Sequence, residues 1–192
     1  TQGGLETLNM VCQLFINKGD VVLVEAPTFM QAIQVFEMFE AKCIGVKCDE
    51  NGMIIEDLKA KYDQYKPKMI YIIPSFQNPT GVTMSLEKRK RMLELAGKYN
   101  LLILEDNPYG DLRFSGEDVP TIKSLDTEGR VIYAGSFSKI LSPGMRLGYL
   151  AADAKICEKI EILKQVNDVH TPVLTQLMCV EFMKKYNIDS YI

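Results

Sequence analysis

Histidine is almost absent from these 192 residues: the single copy, His170, stands between Asp168 and Pro172 at what reads as a helix boundary. A surface or capping role is expected there, and no His-based triad or metal site can be assembled. Cysteine offers no framework either. Cys12, Cys43, Cys48, Cys157 and Cys179 are odd in number and form no CxxC pair, which favours small core residues in a reducing cytoplasm over disulfides or metal ligands. No apolar run approaches the roughly 20 residues of a membrane span, and no signal-peptide pattern is present. The net charge of −3 gives no reason to expect nucleic acid or an anionic membrane as a partner. No GxGxxG or P-loop is available to cradle a nucleotide, and there is no repeat, low-complexity tract or internal linker.

What is present is the ordinary material of a globular domain. With 47% hydrophobic and 24% charged residues, a chain of this length suits one sizeable α/β unit burying roughly 70% of its unfolded surface. An amphipathic helix with Leu5, Leu8, Cys12 and Phe15 on one face follows Thr1-Gln2-Gly3-Gly4 and stops near Lys18-Gly19-Asp20. The pattern then predicts strands at 21–25, 43–46, 69–73, 101–104, 131–134 and 147–152. Helices are predicted at about 30–40, 56–65, 86–99, 154–166 and 173–185, with a polar loop from Arg113 to Thr127. Ser85 is the expected N-cap of the helix that follows it, with Leu86, Met92, Leu93 and Ala96 as its buried face. This alternation indicates a three-layer α/β/α sandwich around a mostly parallel sheet. The abrupt Gly-rich start and the absence of a stop pattern at Ile192 predict that residues 1–192 are one large domain cut from a longer chain.

Six stretches carry chemistry. Ser136-Phe137-Ser138-Lys139 leaves the apolar strand Val131-Ile132-Tyr133-Ala134, and Arg146 follows seven residues after the lysine. An ammonium withdrawn from water without a partner is costly, so this is a poor place for a solvated structural lysine. It suits a lysine that condenses with an aldehyde, because partial desolvation and the charge of Arg146 favour the nucleophilic free base. The serines and the forked guanidinium suit a phosphate. Asn78 in Asn78-Pro79-Thr80-Gly81, and Asp106 and Tyr109 in Asp106-Asn107-Pro108-Tyr109-Gly110, also follow strands. In open parallel sheets ligands sit beyond the carboxyl ends of the strands. Thr1 and Gln2 lie at a helix N-terminus, where free amides favour an anion, and Phe29 could cover an aromatic ring.

Each part alone has an ordinary reading: Lys139 ends a strand beside a loop, Asn78 to Gly81 is a turn, Asp106 is a cap, Tyr109 a rim aromatic and Phe29 core. Unrelated turns have no reason to gather an acid, a phenol, an amide, a lysine and a phosphate clamp on one edge. A buried Asp106 would cost several kcal/mol without a cationic partner. A protonated pyridine nitrogen is such a partner, and pyridoxal 5′-phosphate (PLP) sites use that pairing.

Asn78-Pro79-Thr80-Gly81, Asp106-x-x-Tyr109, Ser136-Phe137-Ser138-Lys139 and Arg146 together resemble the fold-type I, PLP-dependent class I/II aminotransferases. The intervals of 28 residues from Asn78 to Asp106 and 33 from Asp106 to Lys139 are of the size that family shows. Glu25-Ala26-Pro27-Thr28 and Phe76-Gln77-Asn78-Pro79 look most like its 2-aminoadipate/aromatic branch. The resemblance implies PLP held as a Schiff base by Lys139, which then moves the proton between Cα and C4′. It further implies Asp106 at the pyridine nitrogen, Tyr109 and Asn78 at the phenolate oxygen, and Phe29 stacked on the ring. Ser136, Ser138, Arg146, Thr1 and Gln2 would hold the phosphate. The implied substrates are an amino acid and a 2-oxo acid, and the implied assembly is a homodimer.

This sequence departs from that pattern in four places. Ala32 stands where some members place a histidine one helical turn after the stacking aromatic, and Gly3 where a second amide side chain is common. The arginine for the substrate α-carboxylate belongs to a C-terminal small domain, and the specificity-shaping N-terminal segment also lies outside these residues. Weak or absent catalysis is therefore expected of these 192 residues alone. The same motifs also admit a ligand-sensing domain of a transcription regulator, or a PLP lyase or decarboxylase on the same fold.

Overall fold

All 192 residues are described by a computed structural model. The strands β1 (Val21–Ala26), β2 (Lys42–Asp49), β3 (Gly52–Met53), β4 (Met69–Ile72), β5 (Leu102–Asp106), β6 (Val131–Ser136) and β7 (Gly148–Ala151) form one sheet. Its order is β3-β2-β1-β4-β5-β6-β7. Every pairing from β2 to β6 is parallel, and the edge strands β3 and β7 are antiparallel. The central strand β4 is buried at all four positions, as its unbroken Met-Ile-Tyr-Ile run requires when helices cover both faces of the sheet.

One apolar cluster gathers the residues of odd number in β4 and even number in β5 and β6: Met69, Tyr71, Leu104, Ile132 and Ala134. They pack under Leu8, Val11 and Cys12 of α1 (Gly4–Phe15) and Ala32 and Phe36 of α2 (Met30–Met38). The alternate residues Ile70, Ile72, Ile103 and Val131 face the other way. They meet Ile55 and Leu58 of α3 (Ile55–Tyr65) and Met92 and Ala96 of α4 (Leu86–Tyr99). The period-two alternation of strands thus builds two cores from one sheet. The short α5 (Ile122–Leu125) seats Ile122 in the second core. The chain closes with α6 (Ala154–Asn167), α7 (Val173–Lys185) and α8 (Ile188–Tyr191).

The sequence reading holds for the three-layer sandwich and for the helices and strands it places. The structure adds the antiparallel hairpin partner β3 and the single turns α5 and α8, each too short to carry a period. The Ser85 cap is present, its hydroxyl accepting from Lys88 N at 3.4 Å. The buried face of α4 is corrected in part: Met92 and Ala96 are buried, but Leu86 is exposed, and the third inward position is Arg89 at 0% exposure. Its guanidinium is fully employed. It donates to Met84 O (3.0 Å), Pro74 O (2.8 Å), Ser75 Oγ (3.0 Å) and Pro120 O (3.1 Å). A buried cation is tolerable when all its donors are satisfied, and this one ties the loop after β4 to the segment before α5. Glu105, on the same face, accepts from Ile122 N and Lys123 N at 2.9 and 2.7 Å. All five thiols are free, with Cys12 and Cys179 buried. His170 is exposed, its Nδ1 3.0 Å from Thr171 O beside the start of α7. No helix is long and apolar enough to cross a membrane.

Candidate active site

Because β4, β5 and β6 are adjacent and parallel, the segments leaving them open on one edge of the sheet. Asp106 is the last residue of β5, in register with Ala134 of β6. Its carboxylate is 7% exposed, and its only side-chain hydrogen bond comes from Tyr71, whose hydroxyl donates to Oδ2 at 2.8 Å. No lysine or arginine pairs with it. Burial pushes its pKa up to about 6, against the opposing pull of the Tyr71 bond. A carboxylate this deep with one donor and no cation is electrostatically incomplete.

Asn78 is reached through a braced loop. Gln77 donates from Nε2 to Pro27 O (2.9 Å) and Glu25 Oε2 (3.3 Å), and its Oε1 accepts from Thr80 N (2.9 Å) and Thr80 Oγ1 (2.7 Å). Glu25 also accepts from Ile73 N at 3.0 Å, and burial pushes its carboxyl up to about 7. From this support Asn78 Nδ2 donates to the Tyr109 hydroxyl at 3.3 Å. Lys139 Nζ lies 6.0 Å from the centroid of the Tyr109 ring. Phe29, at the N-cap of α2, and Tyr109 both pack against the cluster that holds Tyr71. Tyr109, Asn78 and Lys139 therefore stand together, and Asp106 and Phe29 reach them through the cluster around Tyr71.

The remaining candidates lie at the start of α1. Thr1 pairs with Gly148 in both directions, N to O and O to N, each 2.9 Å. Arg146 reaches across from the far side of the Ser136–Ser142 loop. Its Nη2 donates to Gln2 O at 3.2 Å and Nη1 to Pro143 O at 3.2 Å. A Cβ on Gly3, whose φ is +86°, would stand 2.5 Å from Arg146 Nη2, so a side chain there displaces the guanidinium and strains the backbone. Ser136 Oγ accepts from Ser138 N at 3.1 Å, which folds the first turn after β6.

Two expectations need correction. Lys139 is exposed, not desolvated: it sits past the end of β6 on an open edge, and Arg146 is turned toward the α1 start instead of toward the lysine. Gln2 does not offer its side chain or amide to an anion. Its Nε2 bonds Asp168, and its backbone N–H donates to Glu6 Oε2 at 2.6 Å, in a cluster closed by Lys164. Sequence reasoning also missed Tyr71, Gln77 and Arg89 as supports. The signal for Tyr71 was available: a phenol inside an otherwise aliphatic buried strand needs an acceptor. A cavity of about 990 Å³ is lined by Ser75, Asn107, Gly110, Arg113 and Tyr133 among others, and by none of the ten candidates.

Comparison with known proteins decides the family. The profile of "Aminotransferase class I and II" matches residues 1–188. This chain belongs to that family. It is 44% identical over 197 residues to the aromatic-amino-acid aminotransferase 1 of Thermococcus litoralis, covering 100% of this chain and 47% of the relative. The structure of Pyrococcus horikoshii kynurenine aminotransferase, solved in complex with PMP, superposes with a TM-score of 0.96 at 42% identity. That superposition covers 100% of this chain and 48% of the other. An HTH-type transcriptional regulator of Bacillus subtilis, YisV, is 33% identical over 99% of the chain and 39% of its own length. The chain spans about half the length of the curated aminotransferases it matches.

The aminotransferase cofactor is PLP, and the residues present fit it. The cation-free Asp106 carboxylate matches a protonated pyridine nitrogen. The Gly3 opening beneath Arg146 leaves room where a Cβ would intrude, and the Tyr109–Asn78 pair supplies hydrogen-bond donors for a ring oxygen.

Proposed function

We propose that the protein containing this chain transfers amino groups between amino acids and 2-oxo acids with PLP. The observation that carries the reading is Asp106, a buried carboxylate without a cation, at the same edge of the sheet as Lys139, whose Nζ lies 6.0 Å from the centroid of the Tyr109 ring. Bound there, PLP supplies an electron sink for the charge that develops at the substrate Cα. Lys139 Nζ would hold the cofactor's carbonyl carbon and, once displaced by substrate, would carry the proton at the substrate Cα. Asp106 would keep a proton on the ring nitrogen. Tyr109 and Asn78 would direct hydrogen bonds at the ring oxygen, and Phe29 would cover one ring face. Ser136, Ser138 and Arg146, with Thr1 at the start of α1, bind the phosphate; of Gln2, only the carbonyl takes part, by positioning Arg146. Relatives named for aromatic amino acids, kynurenine and 2-aminoadipate support an amino acid donor of that range, and the family's habit supports a cytoplasmic homodimer.

The test is chemical. The full-length protein is incubated with PLP, reduced with borohydride and mapped by peptide mass. The label is expected on Lys139, and a label on another lysine overturns the reading. The similarity to YisV supports a second reading, a sensor domain behind a DNA-binding segment. Sequence-specific DNA binding by the full-length protein, without turnover of any amino donor, would select it.

A further inference from the structure

The hydrogen bond between Tyr71 and Asp106 has consequences beyond satisfying a buried phenol. Tyr71 lies on β4, the strand beside β5, with its ring at 0% exposure and edge-on to Phe36 of α2, centroids 5.7 Å apart. Packing therefore fixes the hydroxyl. Burial and the neighbouring Asp106 carboxylate hold its proton on, well above the ordinary phenol range, so it acts only as a donor toward Asp106. That donor occupies Oδ2 and leaves Oδ1 as the oxygen with no protein partner.

We infer that Tyr71 is a positioning residue of this site: its hydroxyl pins one oxygen of Asp106, keeps the carboxylate ionised and leaves the other oxygen for the pyridine nitrogen. The inference rests on the PLP reading above and deepens it. A donor to Oδ2 stabilises the ionised carboxylate, and the ionised carboxylate stabilises the protonated ring nitrogen. Removing the donor shifts the pair toward a neutral acid and a neutral ring. The other titratable groups that act on this pair are Glu25 of β1 and Tyr109 after β5; from α2 the uncharged Phe36 packs against Tyr71. A hydroxyl deletion at Tyr71 leaves all of these in place, so their own titrations cancel in the comparison.

The experiment uses full-length protein loaded with PLP carrying ¹⁵N in its ring, with the nitrogen resonance followed against pH. That resonance separates protonated from unprotonated nitrogen and does not depend on turnover. In the wild type the nitrogen is expected to stay protonated well above pH 7. In Tyr71→Phe, which keeps the ring and its contact with Phe36, the deprotonation midpoint is expected to fall by about one pH unit. In an Asp106→Asn background the same substitution should move nothing, since the two residues act as a unit. An equal shift in both backgrounds, or none in either, overturns the inference. If Tyr71→Phe does not fold, 3-fluorotyrosine placed at position 71, a stronger donor of nearly the same shape, decides: the midpoint must rise, and an unchanged midpoint overturns the inference. A wild type that fails to retain PLP at Lys139 would sink the functional reading itself, which is a different result from a retained cofactor indifferent to Tyr71.

Discussion

Gly3 shows how much a single residue can decide at this site. It combines a φ of +86° with a position where a Cβ would meet the Arg146 guanidinium at 2.5 Å. Alanine there is expected to cost about 1–2 kcal/mol in backbone strain and to push Arg146 off the α1 start. Cofactor affinity should fall about tenfold, which corresponds to about 1.4 kcal/mol. Gly4 is the internal control, because nothing lies within 4 Å of a Cβ built on it and its φ is not positive. A fluorescence titration with PLP and a thermal melt on both variants check this. Equal losses in Gly3→Ala and Gly4→Ala would show that the cradle has no role. The residue scale is also where the sequence was most and least legible. Lys139, Asp106, Asn78, Tyr109 and Arg146 could be named because each is a polar group at the end of an apolar strand or in the loop that follows one. Their exposure and pairing could not be named, because these depend on which neighbour a side chain turns toward: Arg146 toward Gln2 and not Lys139, and Gln2 toward Asp168.

At the scale of elements, the site depends on how the loops after β1 and β4 are bound to each other. Glu25 ends that chain of contacts, with Gln77 and the Ile73 amide as its donors and no cation beside it. Its carboxyl is raised from an ordinary 4.5 to about 7 by burial, so the folded state binds a proton that the unfolded state has already lost between those values. Stability linked to Glu25 is therefore full below about pH 4.5, declines as pH rises to about 7, and is flat above. Asp106, raised to about 6, adds a decline of the same sign in the empty protein. Acids lowered by surface pairing, such as Asp20 and Asp49, act in the opposite direction but below their ordinary 3.8, outside this window. Denaturant midpoints of the cofactor-free protein are expected to fall from pH 5 to pH 7. Glu25→Gln should flatten much of that slope and be more stable at pH 8 by about 2 kcal/mol. A slope unchanged by the substitution would place the buried proton elsewhere. The elements themselves were readable from periodicity, down to the Ser85 cap. Arg89 was not, because a charged residue on a helix reads as outward-facing until the carbonyls of Pro74, Met84 and Pro120 are seen around it.

Across the whole molecule, polar and apolar surface are unevenly shared. The α1 and α2 side and the α3 and α4 side of the sheet each close over a dense core, whereas α7 buries only Cys179. Val173, Leu174, Leu177 and Met178 of that helix are exposed, as are Val166 and Val169 just before it. Contiguous apolar surface of this kind is a liability in water. Lys139 and Arg146 are exposed too, so the edge of the sheet that gathers the candidate residues does not exclude water by itself. Excluding water and completing substrate contacts contribute heavily to rate. The 192-residue chain, which spans about half the length of its relatives, is therefore expected to fold and to take up PLP at Lys139. On the proposed reading it should turn over amino donors at least about a hundredfold more slowly than the full-length protein, and it should bind a hydrophobic dye such as ANS. Side-by-side single-turnover and dye-binding measurements on the two forms check both statements. Equal rates would mean that the open edge is already sufficient for catalysis, and a dye-silent chain would mean that the outward face of α7 is covered by a rearrangement absent from this fold.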